Sequence, residues 1–129
     1  MEKGIIILSD YNGLPQKSKR QADGLLRAIL EKEKVDSQYQ IRISPELSAY
    51  CRKRFRGLNY TRILQIAKSG KIVGKRPPTE KTREWRYLLQ GWSSGRKRKE
   101  KFELVLSFES KQTVVFITAY PLKRSRWKK

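Results

Sequence analysis

Apolar positions along this chain change spacing several times, and each change marks an expected element. Ile5, Ile6, Ile7 and Leu8 form a short β-branched run closed by Asp10, Asn12 and Gly13, which predicts a buried strand and a turn. Over residues 17–34, Ala22, Leu25, Leu26, Ile29 and Leu30 recur at helical spacing. Tyr39, Ile41 and Ile43 then alternate with Gln40 and Arg42, the period of a half-buried strand. The first 43 residues therefore read as a β-α-β unit.

A second group of signals begins at Ser44 and Pro45, a good helix start because the hydroxyl can cap free amides and proline suits the first helical position. That helix is expected to end near Gly57, with Leu47, Tyr50, Cys51 and Phe55 inward and Ser48, Arg52 and Arg56 on a polar side. Asn59 caps a second helix with Ile63, Ile66 and Ala67 inward and Gly70 at its end, so the two are expected to form a hairpin. Strands are predicted at 71–73, 84–90, 102–108 and 113–120. The third alternates strictly, whereas Val114 to Ile117 is apolar on both faces and so belongs in the middle of a sheet. The connection 91–101, rich in Gly, Ser and cations, reads as a projecting basic finger. The expected fold is α+β, with a helical hairpin packed on an antiparallel sheet of about four strands and an N-terminal β-α-β extension. It is read as one domain over 1–129, comprising an extension (1–43), a core (45–122) and a basic tail (123–129).

Charge gives this outline a use. The chain of 129 residues carries 31 Lys and Arg against 12 Asp and Glu, a formal charge of +19. Such self-repulsion weakens the compact state unless an anion relieves it. Residues 47–79 contain many cations and no acid, the footprint of a phosphate binder. With no histidine and one cysteine, Cys51, the usual acid–base side chain, a zinc site and an intrachain disulfide are all excluded. Asp10, Asp23 and Asp36 are scattered, so neither a metal nor a cofactor is expected. The apolar run 4–8 is too short to span a bilayer, and no membrane partner is expected. Cleavage of RNA by its own 2′-hydroxyl remains within reach, because the substrate supplies the nucleophile and the protein need only align it, stabilise charge and move protons.

Ser48, Arg52, Arg56 and Gly57 on the first hairpin helix, the second helix ending at Gly70, Trp85-Arg86-Tyr87, and the strand ending in Thr118 and Tyr120 together resemble the small RelE-type toxins. More broadly they resemble the barnase, EndoU, colicin and RelE group of ribonuclease domains. The resemblance covers residues 45–122. It implies metal-independent cleavage of mRNA on the ribosome or of tRNA, to a cyclic phosphate, by a toxin held in check by an acidic antitoxin or immunity protein. Action would be in the cytoplasm, by a free-standing toxin or by the C-terminal part of a secreted one. Arg52 and Arg56 are implied to grip the phosphate, and Thr118 and Tyr120 to orient or protonate groups around it; Arg83 and Arg86 are expected to join the two arginines in binding phosphate. Related proteins often carry a histidine where Ser48 stands, which leaves the base open between Tyr120, a lysine of lowered pKa and the substrate itself.

Arg83 and Arg86 flank Trp85, an arrangement suited to an unpaired base and its phosphate if Trp85 is not simply core. Arg54, the finger residues Arg96, Lys97 and Arg98, and Lys123 and Arg124 of the tail are expected to add non-specific phosphate contacts. Lys75 and Arg76, before Pro77 and Pro78, are further cations within reach of such a site. The rival reading from the same residues is a non-catalytic basic RNA- or ribosome-binding protein. A third is a relative of these toxins acting on a target other than RNA.

Overall fold

A computed structural model of the chain describes residues 15–53, 59–94 and 99–122, with the side chains of 52, 53, 94 and 99 left aside. The expected strand at Ile5 to Leu8 lies outside the described residues.

Helix α1 (Lys19–Lys32) begins at a capping box in which Ser18 and Gln21 each accept from the other's backbone amide. Its Ala22, Leu26, Ile29 and Leu30 are buried, as their spacing demands. Strand β1 (Gln40–Ile43) leads into α2 (Pro45–Lys53). There the Ser44 hydroxyl accepts from the Leu47 amide at 3.1 Å and donates to the Ile117 carbonyl at 2.7 Å. Helix α3 (Tyr60–Ser69) starts at Asn59, whose side chain accepts from the Arg62 amide. Strands β2 (Lys71–Arg76), β3 (Arg86–Ser94), β4 (Lys99–Ser110) and β5 (Thr113–Pro121) follow.

The fold is α+β, with three helices and one mostly antiparallel five-stranded sheet of order β1-β5-β4-β3-β2. The expected four strands are present, and β1 is the fifth. It pairs parallel to β5 with Gln40 opposite Thr113. What the alternating pattern marked as part of an extension is therefore an edge of the main sheet, because β5, apolar on both faces, takes a partner on each side. The expected basic finger is also corrected. Gly91 pairs with Phe102, Trp92 with Lys101 and Ser93 with Glu100, so β3 and β4 continue as a paired ribbon through most of that segment. Its cations 96–98 lie outside the described residues. Helix α2 packs on β5, α3 on β3 and β4, and α1 on β2. The joint between α2 and α3 lies outside the described residues.

The helices bury their apolar sides with Tyr87, Leu89, Phe102, Leu104, Leu106, Phe108, Val114 and Phe116, which defines the core face of the sheet. Each such fully buried large side chain contributes about 1.5–3 kcal/mol. Two backbone features hold α3 to the sheet. A Cβ on Gly70 would strike the Gln90 carbonyl, and one on Gly91 the Ile66 carbonyl, so strand and helix meet backbone to backbone. The Arg27 guanidinium, reaching from α1, donates to the Ala67, Lys68 and Gly70 carbonyls at the end of α3, whose last carbonyls have no helical partner.

Candidate functional site

Alternation along β4 decides which side chains share the second face. Phe102, Leu104, Leu106 and Phe108 enter the core, so Glu103, Val105, Ser107 and Glu109 point the other way. Their cross-strand partners extend the set: Gln90 and Tyr120 beside Glu103, Leu88 and Thr118 beside Val105, Val115 beside Ser107. Arg86 and Arg76, paired with each other, complete it on β3 and β2. An irregularity lets Thr118 share this face with Val115, since the register slips by one between Val105/Thr118 and Leu106/Phe116 and leaves Ile117 as the extra residue. The Ser44 hydroxyl binds the carbonyl of that bulged residue, which ties the start of α2 to it.

Tyr120 and Glu103 lie directly opposite each other at one end of the face. Gln90, 7% exposed, donates its side-chain amide to the Glu103 carboxylate at 3.3 Å from the other side, so the carboxylate is held between two neighbours. Burial pushes the Tyr120 phenol above its ordinary pKa, and its hydrogen bond to Glu103 and that residue's charge push it further. The Arg76 guanidinium acts in the opposite sense, through charge and a hydrogen bond to the phenol. Tyr120 therefore keeps its proton through neutral pH, with an acceptor on one side and a cation on the other.

This pKa has a measurable sign. An unfolded tyrosine ionises near about pH 10. With the folded value higher, the unfolded state loses its proton first, so stability is retained below about pH 10 and falls as pH rises toward the folded value. Tyr120→Phe should make the fall of the urea midpoint between about pH 9 and pH 11 shallower than in the parent. An unchanged slope would mean that the phenol is not shielded.

At the opposite end lies a groove of about 530 Å³ lined by Ser44, Pro45, Glu46, Glu84, Arg86, Ser107, Phe108, Glu109, Val115 and Ile117. Arg86 faces Glu84 at 3.9 Å, too far for a hydrogen bond, and its Nε is buried without a partner. Glu109 pairs with Arg42 at 3.1 Å.

The residues singled out by the sequence fall into distinct places. Tyr120, Thr118 and Arg86 share the polar face, but Arg86 stands level with Ser107, four residues along β4 from Glu103, or about 13 Å at strand rise. Trp85 packs against the core. It is partly buried there, which fits its reading as a core residue and leaves part of its surface open beside Arg86. Arg83 sits in the turn before β3, exposed, with its Nε donating to the Glu80 carbonyl at 3.4 Å and with φ of 52°. The side chain of Arg52, and Arg54, Arg56, Arg96, Lys97, Arg98, Lys123 and Arg124, lie outside the described residues.

Sequence reasoning missed Glu103, Gln90 and Ser107, and gave Arg76 only a marginal place. The available signal was that Glu103 and Ser107 are polar positions inside an otherwise apolar strand. Asp23 accepts from the Ile72 amide and pairs with Arg27, while Asp36 accepts from the Gln38 amide. Among the described residues no three His, Cys, Asp or Glu side chains group so as to hold a metal. No helix there is long and apolar enough to cross a membrane. No family model, curated protein or solved structure matches the chain.

Proposed function

We propose that this chain is a metal-independent endoribonuclease toxin of the RelE-like kind its motifs resemble, with α2 and α3 as the paired helices of that fold. Its substrate is mRNA or tRNA, and an acidic antitoxin or immunity protein neutralises it. The observation that carries the reading is the Tyr120–Glu103 pair beside the Arg76 guanidinium on a polar sheet face. In a chain without histidine, this pair sets an acid directly opposite a base on neighbouring strands.

The chemistry follows from that placement. Glu103 takes the proton of the RNA 2′-hydroxyl as its oxygen bonds to phosphorus. Tyr120 gives its proton to the departing 5′-oxygen as the P–O bond breaks, leaving a 2′,3′-cyclic phosphate. The proton on Glu103 then passes to Tyr120, its cross-strand neighbour, so the site resets without another group. Arg76 offsets charge on the phosphate oxygens, and Thr118, on the same face, positions the strand. Arg52 and Arg56 keep the phosphate-gripping roles that the resemblance implies.

The test is cleavage of end-labelled RNA with a chelator present, with the cyclic phosphate identified in the product. Protein that binds RNA tightly and never cuts it is the basic binding module instead.

Arg83 offers a separate check. A non-glycine residue at φ 52° is held in a strained region, at a cost of about 1–2 kcal/mol. An arginine kept there is consistent with use of its side chain in binding. Arg83→Gly should raise stability by up to about 1 kcal/mol in urea unfolding while weakening RNA affinity. Equal RNA affinity would remove Arg83 from the interface.

A further inference from the structure

Gln90 belongs to the polar face of β3 beside Glu103, yet it is only 7% exposed. Its backbone lies where α3 meets the sheet. A Cβ on Gly70 would strike the Gln90 carbonyl, and one on Gly91, the next residue, would strike the carbonyl of Ile66. The strand is therefore pinned at both positions, and a buried side chain rooted there has little freedom. Its Nε2 reaches the Oε1 of Glu103 at 3.3 Å. An amide can turn either end toward a neighbour, and an ionised carboxylate selects the end: the carbonyl would set oxygen against oxygen, whereas the N–H group meets it as a donor.

We propose that Gln90 is a positioning residue that clamps one oxygen of Glu103 so that the other is aimed at the RNA 2′-hydroxyl. The inference rests on the RNA-cleaving function proposed above and deepens it, because it gives the two oxygens of the base separate tasks. Gln90 occupies Oε1, and Oε2 takes the proton. A glutamate on a strand has several side-chain torsions to search, and its oxygens exchange places by a half-turn of the last. A fixed donor ends that search, which raises the rate because the base must stand within hydrogen-bond reach of the proton it removes. The neutrality of the amide matters as much as its position. A lysine or arginine there would also hold the carboxylate, but its full charge would favour the ionised form more strongly and make a poorer base. The charged or titratable groups around Glu103 are Tyr120 opposite it on β5, Arg76 beside that phenol from β2, Lys101 two places back on β4, and Lys71 opposite Gln90 on β2. Gln90 adds no charge to this set and does not titrate with it.

The experiment compares the full chain with Gln90→Leu and Gln90→Glu, two replacements of similar size, by single-turnover RNA cleavage across pH, RNA affinity and urea unfolding. Gln90→Leu should cut about 10–100-fold more slowly with unchanged RNA affinity, because the base is present but no longer aimed. Gln90→Glu should turn the plateau of the pH–rate profile into a bell. Where the two carboxyls share one proton, the new acid donates to Glu103 and the rate approaches that of the parent; once both are ionised the clamp is lost and the rate falls. A side chain that only fills space would leave the shape of the profile alone. Parent-like cleavage by Gln90→Leu, or a plateau retained in Gln90→Glu, overturns the clamp. The side-chain amide protons of Gln90, followed by NMR in the free protein, give a readout that needs no catalysis, and they should shift as Glu103 titrates. Amide protons that ignore that titration in a protein that cuts RNA remove the clamp and leave the nuclease standing. Amide protons that follow it in a protein that never cuts RNA remove the nuclease, and with it the reaction that the clamp would serve.

Discussion

Replacing Glu103 with Gln should lower the rate of chelator-resistant RNA cleavage by about 100-fold or more and leave RNA affinity within a few-fold of the parent. The asymmetry comes from the role proposed for Glu103, contact with the reacting hydroxyl, while the charges that would attract the strand lie elsewhere on the chain. Removing a carboxylate from a basic protein should if anything tighten binding. Tyr120→Phe should cost a comparable factor, since it deletes the proton that the leaving oxygen needs. The double variant should be little worse than either single one, because the two groups act as one unit. Single-turnover cleavage and filter binding on the same preparations separate the two quantities. Full activity in Glu103→Gln would leave the face without its base and sink the mechanism.

Gly91→Ala should destabilise the fold by about 3 kcal/mol, lowering the melting temperature by roughly 10 °C. A methyl group there meets the carbonyl of Ile66, which is helix backbone and cannot rotate away. Helix α3 must then lift off β3, which also loosens the two hydrogen bonds that Ser69 makes to the backbone of Trp92. Gly70→Ala presses on the same junction, so the pair should not be additive. Gly24 supplies the contrast. It lies exposed in α1 with nothing within 4 Å of a built Cβ, and Gly24→Ala should stabilise by about 0.5–1 kcal/mol through helix propensity. Thermal and urea unfolding of the three variants check all of this, and a neutral Gly91→Ala would mean that the close approach is not required.

Much of the fold can be read from local pattern, and most of the site cannot, for a common physical reason. Periodicity reports which side of its own element a residue occupies. It placed Ala22, Leu26, Ile29 and Leu30 inward on α1, Ser44 and Asn59 at helix starts, and β5 in the middle of the sheet. Register between distant strands is not local. The parallel pairing of β1 with β5 joins residues some seventy positions apart, and nothing in Gln40–Ile43 itself names its neighbour. Glu103 looked like an ordinary outward polar residue until Tyr120 and Gln90 were placed on either side of it. Trp92 and Lys101 read as parts of a basic loop, because a ribbon that carries charges has the composition of one, yet they pair across β3 and β4 with the ammonium over the indole.

The single surplus residue at Ile117 works as a parity switch for the end of β5. Every position after it faces opposite to the direction that simple counting from Val114 assigns. Shortening the strand by that one residue would leave a regular ladder, with Phe116 opposite Leu106 and Thr118 opposite Val105, and the phenol of Tyr120 would keep its outward direction. Deleting the paired Ala119 instead would turn that phenol inward, so the loss of one residue is mild at 117 and harsh two places later.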